Sequence, residues 1–445
     1  MNNCLLVRST RVALTVSLLC LPGAPAPTQD GGGSVAEAID RASSEAATAI
    51  SESGAAETPA RVPTANAEVV EAAKALLDGM GANGLYTIPS AGLMTEIVIR
   101  DGSTLTADDI ALFGRLTHLE NLQILNYREL DDETAAKLAG LKNLKALALT
   151  NSVIGDPTVE MIAEAFPDLT FLDLSSNTNM SSNVIKIISK LRKLERLLLL
   201  QNRINDLGTS RLSRLKELRL LDLRGNMEVG DSSMETIAGL PKLAALKHRS
   251  TTVTDAGVAC LAANAALKAL LMQDFAITSQ AGQSLAQLPN LQELEIFRCQ
   301  SFGSEGVLPL KGAKLTRLTL RDLPMVDDQA MGLFSDLPKL RRLYLHELPS
   351  PSDQGLHNLG ALKSLELLDI WLVPQMTDAT VDAIAALPNL KELSIRETGV
   401  TDAAVDKILA MPKLQSLTFK DNGSVTDEGL KKLAGKKWTK LDTGQ

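Results

Sequence analysis

Three stretches decide the fold of this chain: LTFLDLSSN at residues 169–177, LERLLLLQN at residues 194–202 and LRLLDLRGN at residues 218–226. Each stretch has leucine at its first, fourth and sixth positions and asparagine at its ninth. The alternation of the fourth and sixth leucines predicts a short strand with one buried face. Repetition of this unit predicts a stack of similar units, each packed only against its neighbours.

The same pattern, with some drift, runs through most of the chain. The interval between units is 24 or 25 residues, except for the first two steps, which are 28 and 22. About 14 repeats of 24–25 residues are therefore predicted over residues 94–445. The first position of the unit is assigned to Met94, Leu122, Leu144, Leu169, Leu194, Leu218, Leu243, Leu267, Leu291, Leu315, Leu340, Leu365, Leu390, Leu414 and Trp438.

The second half of each unit has the period of a helix. Val400-Thr401-Asp402 is a typical start, because threonine or aspartate caps the first free amides of a helix. A Leu-Pro pair such as Leu387-Pro388 often ends the unit, since proline cannot continue the helix. The predicted fold class is α/β: a right-handed solenoid, shaped as a horseshoe, with a concave parallel sheet and convex helices.

These units resemble leucine-rich repeats. The V-T-D-x-G-L pattern at Val425–Leu430 is similar to the cysteine-containing subclass, and Cys299 stands where other units have asparagine. The repeats also resemble those of secreted proteins of planctomycete-like bacteria, and residues 69–102 resemble the N-terminal cap of that group. The resemblance implies binding of a protein or a glycan, and it implies neither a catalytic residue nor a cofactor.

The N-terminal residues predict export. Residues 1–26 have the features of a signal peptide, with Arg8 and Arg11 ahead of a short apolar run. Lipidation at Cys20 is disfavoured because Leu19, rather than a small residue, precedes it. Residues 27–65 form an acidic linker rich in Ala, Ser, Gly and Pro, which we expect to be disordered, and residues 66–93 a helical cap. We therefore expect a periplasmic, cell-surface or extracellular protein without a transmembrane anchor.

Composition argues against an enzyme and against nucleic acid as partner. The chain has 445 residues, a net charge of −8, only four histidines and 3% aromatic residues. No phosphate-binding loop, metal-binding pair or catalytic triad is recognisable. Once the signal is removed, Cys260 and Cys299 are expected as free thiols. His248 is expected to be a hydrogen-bonded core residue, and the pairs Asp131-Asp132 and Asp327-Asp328 to cap helices rather than bind calcium.

The third, fifth and seventh positions of the unit point away from the core and form columns on the concave face. The seventh column contains seven basic residues and no acid, which suggests an acidic ligand. The next residue is often acidic, however, so neighbouring columns of opposite charge that solvate and brace the sheet are the favoured interpretation. The seventh column reads Arg100, Arg128, Thr150, Ser175, Leu200, Arg224, Arg249, Gln273, Phe297, Arg321, His346, Trp371, Arg396 and Lys420.

Aromatic residues are rare, yet three of them occur at concave positions within four consecutive repeats. Aromatic side chains mixed with arginine are typical of binding hot spots, although stacking within the columns is an alternative. A second, apolar group is interpreted as another contact area or a dimer surface. The candidate binding residues are Phe297, Arg321, Arg342, Tyr344, His346, Trp371 and Arg396, and the apolar group is Phe171, Leu198, Leu200 and Leu220.

The most favoured function is thus exported recognition of a protein partner. A self-associating structural component of the cell envelope is the first alternative, because only Trp438 and a few polar residues cover the C-terminal edge of the predicted sheet. An F-box-like receptor of a ubiquitin ligase is less favoured, because an export signal does not suit that role.

Overall fold

A computed structural model describes residues 64–89 and 92–444. Within these ranges the chain forms one sheet of sixteen strands that lie in sequence order. The first two strands are antiparallel, and each later pair of neighbours is parallel. The predicted α/β solenoid, with strands and helices alternating along the chain, is confirmed. The predicted signal peptide and all but the last two residues of the predicted linker lie outside the described residues.

The strands are short, because each strand contributes only one to three inward side chains to the core. They are Gly84–Thr87 (β1), Glu96–Ile99 (β2), Asn121–Ile124 (β3), Ala146–Leu149 (β4), Phe171–Asp173 (β5), Arg196–Leu198 (β6), Leu220–Asp222 (β7), Ala245–Arg249 (β8), Ala269–Gln273 (β9), Glu293–Phe297 (β10), Arg317–Arg321 (β11), Arg342–His346 (β12), Leu367–Val373 (β13), Glu392–Thr398 (β14), Ser416–Lys420 (β15) and Lys440–Asp442 (β16).

A helix follows most strands, and in several repeats it ends in a 3-10 turn. The helices are Thr64–Gly79 (α1), Ala107–Phe113 (α2), Asp132–Ala136 (α3), Asp156–Ala165 (α4), Val184–Ile188 (α5), Asp206–Thr209 (α6), Asp231–Ala238 (α7), Asp255–Leu261 (α8), Ala281–Ala286 (α9), Ser304–Val307 (α10), Asp328–Met331 (α11), Asp353–Leu356 (α12), Asp378–Ile384 (α13), Ala403–Ala410 (α14) and Asp427–Ala434 (α15). None of these described helices has the length and apolar character that a bilayer crossing needs.

The register of the sheet corrects the assignment of the second repeat. Leu122 pairs with Ile97 on one side and Leu147 on the other, which are both fourth-position residues. Leu119, which is fully buried, is therefore the first residue of that repeat. The intervals from Met94 to Leu119 and from Leu119 to Leu144 are both 25 residues, so the apparent 28 and 22 came from a misplaced leucine.

The same shift removes Arg128 from the seventh column. Leu125 takes that position, and Arg128 lies exposed in the turn after β3. Six basic residues remain in the column. The excess of positive charge on the concave face is smaller than the sequence suggested.

Hydrogen bonds between repeats hold the turns after the strands. Asn202 donates from Nδ2 to the carbonyl of Leu174 at 2.7 Å and accepts from the amide of Asn177 at 2.8 Å. Asn177 and Asn226 repeat this arrangement in the flanking units. Because these side chains are fully buried, each bond satisfies a backbone group that water cannot reach. Asn422 is also buried.

A second series of bonds joins the starts of successive helices. The carboxylate of Asp353 accepts from the amide and hydroxyl of Thr377, the residue that caps α13. Asp378 accepts in the same way from Thr401, and Asp402 from Thr426. Asp131 and Asp327 cap α3 and α11, as predicted. The Thr-Asp pairs at residues 254–255 and 377–378 thus each contribute one helix cap and one link to the next repeat.

Two further sequence predictions concern buried polar side chains. His248 is fully buried at a sixth, inward position, with Nδ1 3.2 Å from the carbonyl oxygen of Leu223 and Nε2 2.9 Å from that of Val229. This confirms a hydrogen-bonded core histidine. Cys260 and Cys299 are free thiols, and burial raises the pKa of Cys299 to about 12. Within the described ranges, no group of three potential ligand side chains is arranged for a metal ion.

Candidate functional site

The sheet register brings most of the candidate binding residues onto adjacent strands. Phe297, Arg321, His346, Trp371 and Arg396 occupy the seventh position of β10 to β14 and pair in that order. They form one continuous row, called here the concave ladder. Side chains at equivalent positions of neighbouring strands lie about 5 Å apart, so the members of the ladder must pack on one another.

The two arginines of the concave ladder pack on its aromatic rings. The guanidinium carbon of Arg321 lies 4.4 Å from the ring centre of Phe297 and 5.4 Å from that of Trp371. The guanidinium carbon of Arg396 lies 5.3 Å from the ring centre of Trp371. Such cation–π contacts hold both partners in place. The aromatic surface is therefore preorganised before any partner arrives.

Tyr344 and His346 extend this packing within β12. The rings of Tyr344 and His346 meet edge to face with centres 5.9 Å apart, and those of His346 and Trp371 meet in the same way at 5.8 Å. Arg317, on the adjacent strand, lies 4.9 Å from the ring of Tyr344. The sequence interpretation did not include Arg317. Its third-column position on the strand next to Tyr344 could have indicated this contact.

Acidic side chains at the eighth position compensate the charges of the ladder. Nε of Arg321 donates to Glu347 at 2.8 Å, and the indole nitrogen of Trp371 donates to Glu397 at 2.8 Å. Arg249 is bonded to Asp274 in the same relationship. In each case a seventh-position donor binds the eighth-position acid of the next repeat. The hypothesis that adjacent columns of opposite charge brace the sheet is therefore supported by direct contacts.

The eighth position has an unusual backbone that makes this pairing possible. It is left-handed in most repeats, with φ of 54° at Glu347, 51° at Glu397 and 60° at Asp274. A positive φ turns the side chain out of the alternation of the strand. The acid therefore reaches back over the neighbouring seventh-position residue.

Asp369 lies beneath the concave ladder in the fifth column. Arg396 donates to it at 3.0 Å, and Nε2 of His346 lies 3.4 Å from its other oxygen. Burial raises the pKa of Asp369, but the histidine and the arginine together hold that pKa below its ordinary value. Asp369 is thus a carboxylate at neutral pH and offsets the charge of Arg396.

Arg342 belongs to the third column of β12, where it pairs with Arg317 and Leu367. It lies two residues before Tyr344 on the same strand. The guanidinium of Arg317 lies over the ring of Tyr344.

The predicted apolar patch is less accessible than the sequence suggested. Phe171, Leu198 and Leu200 are half-buried, and Arg196 lies over the ring of Phe171 at 4.6 Å. Leu220 points to the concave face but has no exposed surface, because it packs in a small cluster with Ala245 and Ala269. The prediction of an exposed contact residue is wrong for Leu220.

Comparison with known proteins agrees with this architecture. The sequence profile described as "Leucine-rich repeat region" matches residues 166–442. A chain of the yeast Rad7–Elc1 complex is similar over 89% of this chain and 96% of its own, with 16% identity and a TM-score of 0.53. An internalin of Listeria monocytogenes is similar over 86% of this chain and 96% of its own, with 19% identity and a TM-score of 0.46. A chain of the TLR13–ssRNA13 complex covers 76% of this chain and 52% of its own, with 19% identity and a TM-score of 0.47. Curated protein sequences gave no match.

The repeated strand–helix unit and the sheet of sixteen strands in sequence order define the class of open-ended repeat solenoids. Within that class the family is shown by the match over 277 residues, more than half of the chain. The chain belongs to the leucine-rich repeat family. At these levels of identity the structural likenesses show the fold alone.

Proposed function

We propose that this chain is an exported, non-enzymatic protein-binding module, and that its concave face is the binding surface. The observation that supports the proposal is the concave ladder, in which Trp371 and Phe297 are held by the guanidinium groups packed on them. Rigid aromatic and arginine side chains on an accessible face are the residue types that dominate binding energy in protein interfaces. Because they are already ordered, a partner loses less conformational freedom on binding them.

A protein is the partner that best suits this surface. The arginines of the ladder are paired with Glu347 and Asp369, so the face does not present a free excess of positive charge to an acidic polymer. What it presents is aromatic surface beside neutralised ion pairs, which is the mixture found at protein interfaces.

The proposal is tested by affinity capture from envelope and culture fractions with the full-length chain. A Tyr344→Ala/Trp371→Ala variant is compared with a Gln123→Ala/Thr150→Ala variant, which changes the same face near β3 and β4. A partner retained by the wild type and the control, but lost by the aromatic variant, is then purified and its Kd measured against all three. We expect the aromatic variant to weaken binding at least tenfold, since each hot-spot residue contributes about 2 kcal/mol or more.

Retention of the same partner by the aromatic variant, with unchanged melting temperature, would overturn this assignment of the site. Export is tested separately by locating the full-length chain in cell fractions. Sedimentation velocity over a range of concentrations distinguishes a binding module from the self-associating envelope component that is the alternative.

A further inference from the structure

A depression on the concave face lies beside the candidate site. It measures about 170 Å³ and is lined by residues of β8 to β11, where two adjacent third-column residues, Ala245 and Ala269, both have small side chains. Leu271 completes an apolar floor. It is named here the alanine groove. An apolar cavity of roughly 150 Å³ holds a group the size of a benzene ring, so the groove matches one large apolar side chain.

The rim of the alanine groove is polar and carries both signs of charge. Arg224, Lys247 and Arg317 bring positive charge to it, and Glu293 and Glu295 bring negative charge. Donors and acceptors around an apolar floor suit a polypeptide, whose backbone supplies amides and carbonyls on either side of an apolar side chain. A hydrocarbon tail would offer no hydrogen bonds to the polar rim, and a sugar would offer little apolar surface to the floor.

Arg317 connects the groove to the candidate site. It lines the groove and at the same time lies 4.9 Å from the ring of Tyr344. Ala269 on β9 and Tyr344 on β12 are separated by three strand steps, which correspond to about 14–15 Å. An extended peptide that crosses the strands covers this distance in about four or five residues.

We propose that the partner is a protein segment in extended form that inserts one large apolar side chain, Leu, Met or Phe, into the alanine groove. About four or five residues further along, the same segment meets Tyr344 and the concave ladder. This inference rests on the proposed function, since it describes the partner of the same face. It adds the chemistry and the spacing of the segment that is recognised.

The test uses a randomised library of 12-residue peptides selected on the full-length chain. Selected peptides are labelled, and their Kd values are measured by fluorescence anisotropy. Ala269→Trp fills the groove and Ala269→Asp places a charge on its floor. Ala146→Trp and Ala146→Asp are the matched controls, because Ala146 occupies the same column on β4. Melting temperatures verify that each variant is folded.

Selected peptides are expected to share one large apolar residue and to bind about tenfold to a hundredfold more weakly to either Ala269 variant than to the controls. Replacing that apolar residue by alanine in the peptide should weaken binding by a similar factor. The two losses should not add, because both remove the same contact.

Selected peptides that respond to Trp371→Ala but not to the Ala269 variants would overturn the groove and leave the proposed function in place. Peptides that respond only to the Ala269 variants would support the groove and contradict the role of the ladder. Failure to enrich any peptide over a parallel selection on Ala269→Asp would overturn the groove. So would a concentration-dependent dimer of the wild type that Ala269→Asp abolishes, since a second copy would then be the occupant.

Discussion

The indole nitrogen of Trp371 donates a 2.8 Å hydrogen bond to Oε1 of Glu397, the eighth residue of the next repeat. The two residues are 26 positions apart in the sequence but lie on adjacent strands of the sheet. It fixes the orientation of a ring that otherwise has two free torsions. The stacking of Arg321 and Arg396 on Trp371 depends on that orientation.

Glu397→Ala should therefore make the indole of Trp371 more mobile and more accessible. The chain contains two tryptophans, so a Trp438→Phe background isolates the signal of Trp371. We expect stronger acrylamide quenching and a red-shifted emission after Glu397→Ala, because water replaces the lost acceptor. Glu428→Ala, at an exposed helical position, is the control and should change neither property. Equal quenching in both variants would contradict the orienting role of Glu397.

Asn202→Ala is expected to lower the free energy of unfolding by about 1–3 kcal/mol, because it leaves the buried amide of Asn177 without a partner and removes one of the two amide donors to the buried carbonyl of Leu174. Asn143→Ala removes a single exposed bond to the carbonyl of Thr117 and should cost less than about 0.5 kcal/mol. Urea titrations of the two variants measure the difference. Similar losses in both would mean that burial does not decide the strength of these bonds.

His248 should make the stability of the protein depend on pH. Burial lowers the pKa of His248, although the carbonyls of Val229 and Leu223 favour its charged form. The unfolded chain takes up a proton below about pH 6.5, whereas the folded chain takes it up only at a lower pH. Stability contributed by the neutral ring is thus present above pH 6.5 and decreases as the pH falls, by up to about 1.4 kcal/mol per pH unit.

His248→Met replaces the imidazole by the side chain that the next repeat has at Met272. Urea titrations between pH 7.5 and 5.5 should show a smaller loss of stability in this variant than in the wild type. Parallel pH profiles would show that His248 does not carry the dependence.

Leu372 occupies a left-handed eighth position, a backbone conformation that is unfavourable for leucine. Its φ is 52° and its side chain is 40% exposed, so leucine gains little packing for an unfavourable backbone conformation. Leu372→Asn should raise the free energy of unfolding by about 1 kcal/mol, since asparagine tolerates this conformation. Leu308→Asn is the matched control, because Leu308 has the same exposure but a φ of −58°. If both variants gain stability, surface polarity rather than the backbone is responsible.

Much of the candidate site could be predicted from the sequence, because the alternation within a strand is local. Phe297, Tyr344 and Trp371 were assigned to the concave face from their place in the repeat, and the register puts them there. The partners of these residues were harder to foresee. Glu347 and Glu397 act across repeats, and their reach depends on a positive φ that most residue types adopt rarely.

What the sequence alone determined is the repeated unit, its inward leucines and asparagines, and hence a solenoid with an outward row of aromatic and basic residues. These follow from periodic burial, which acts within one repeat. Only the tertiary structure decided which residues of different repeats meet. It moved the start of the second repeat to Leu119, neutralised Arg321 and Arg396, and buried Leu220 beside Ala245 and Ala269. The reason is that a contact between stacked repeats depends on the side-chain lengths and the backbone geometry of both repeats. The sequence pattern of one repeat therefore does not predict the contact.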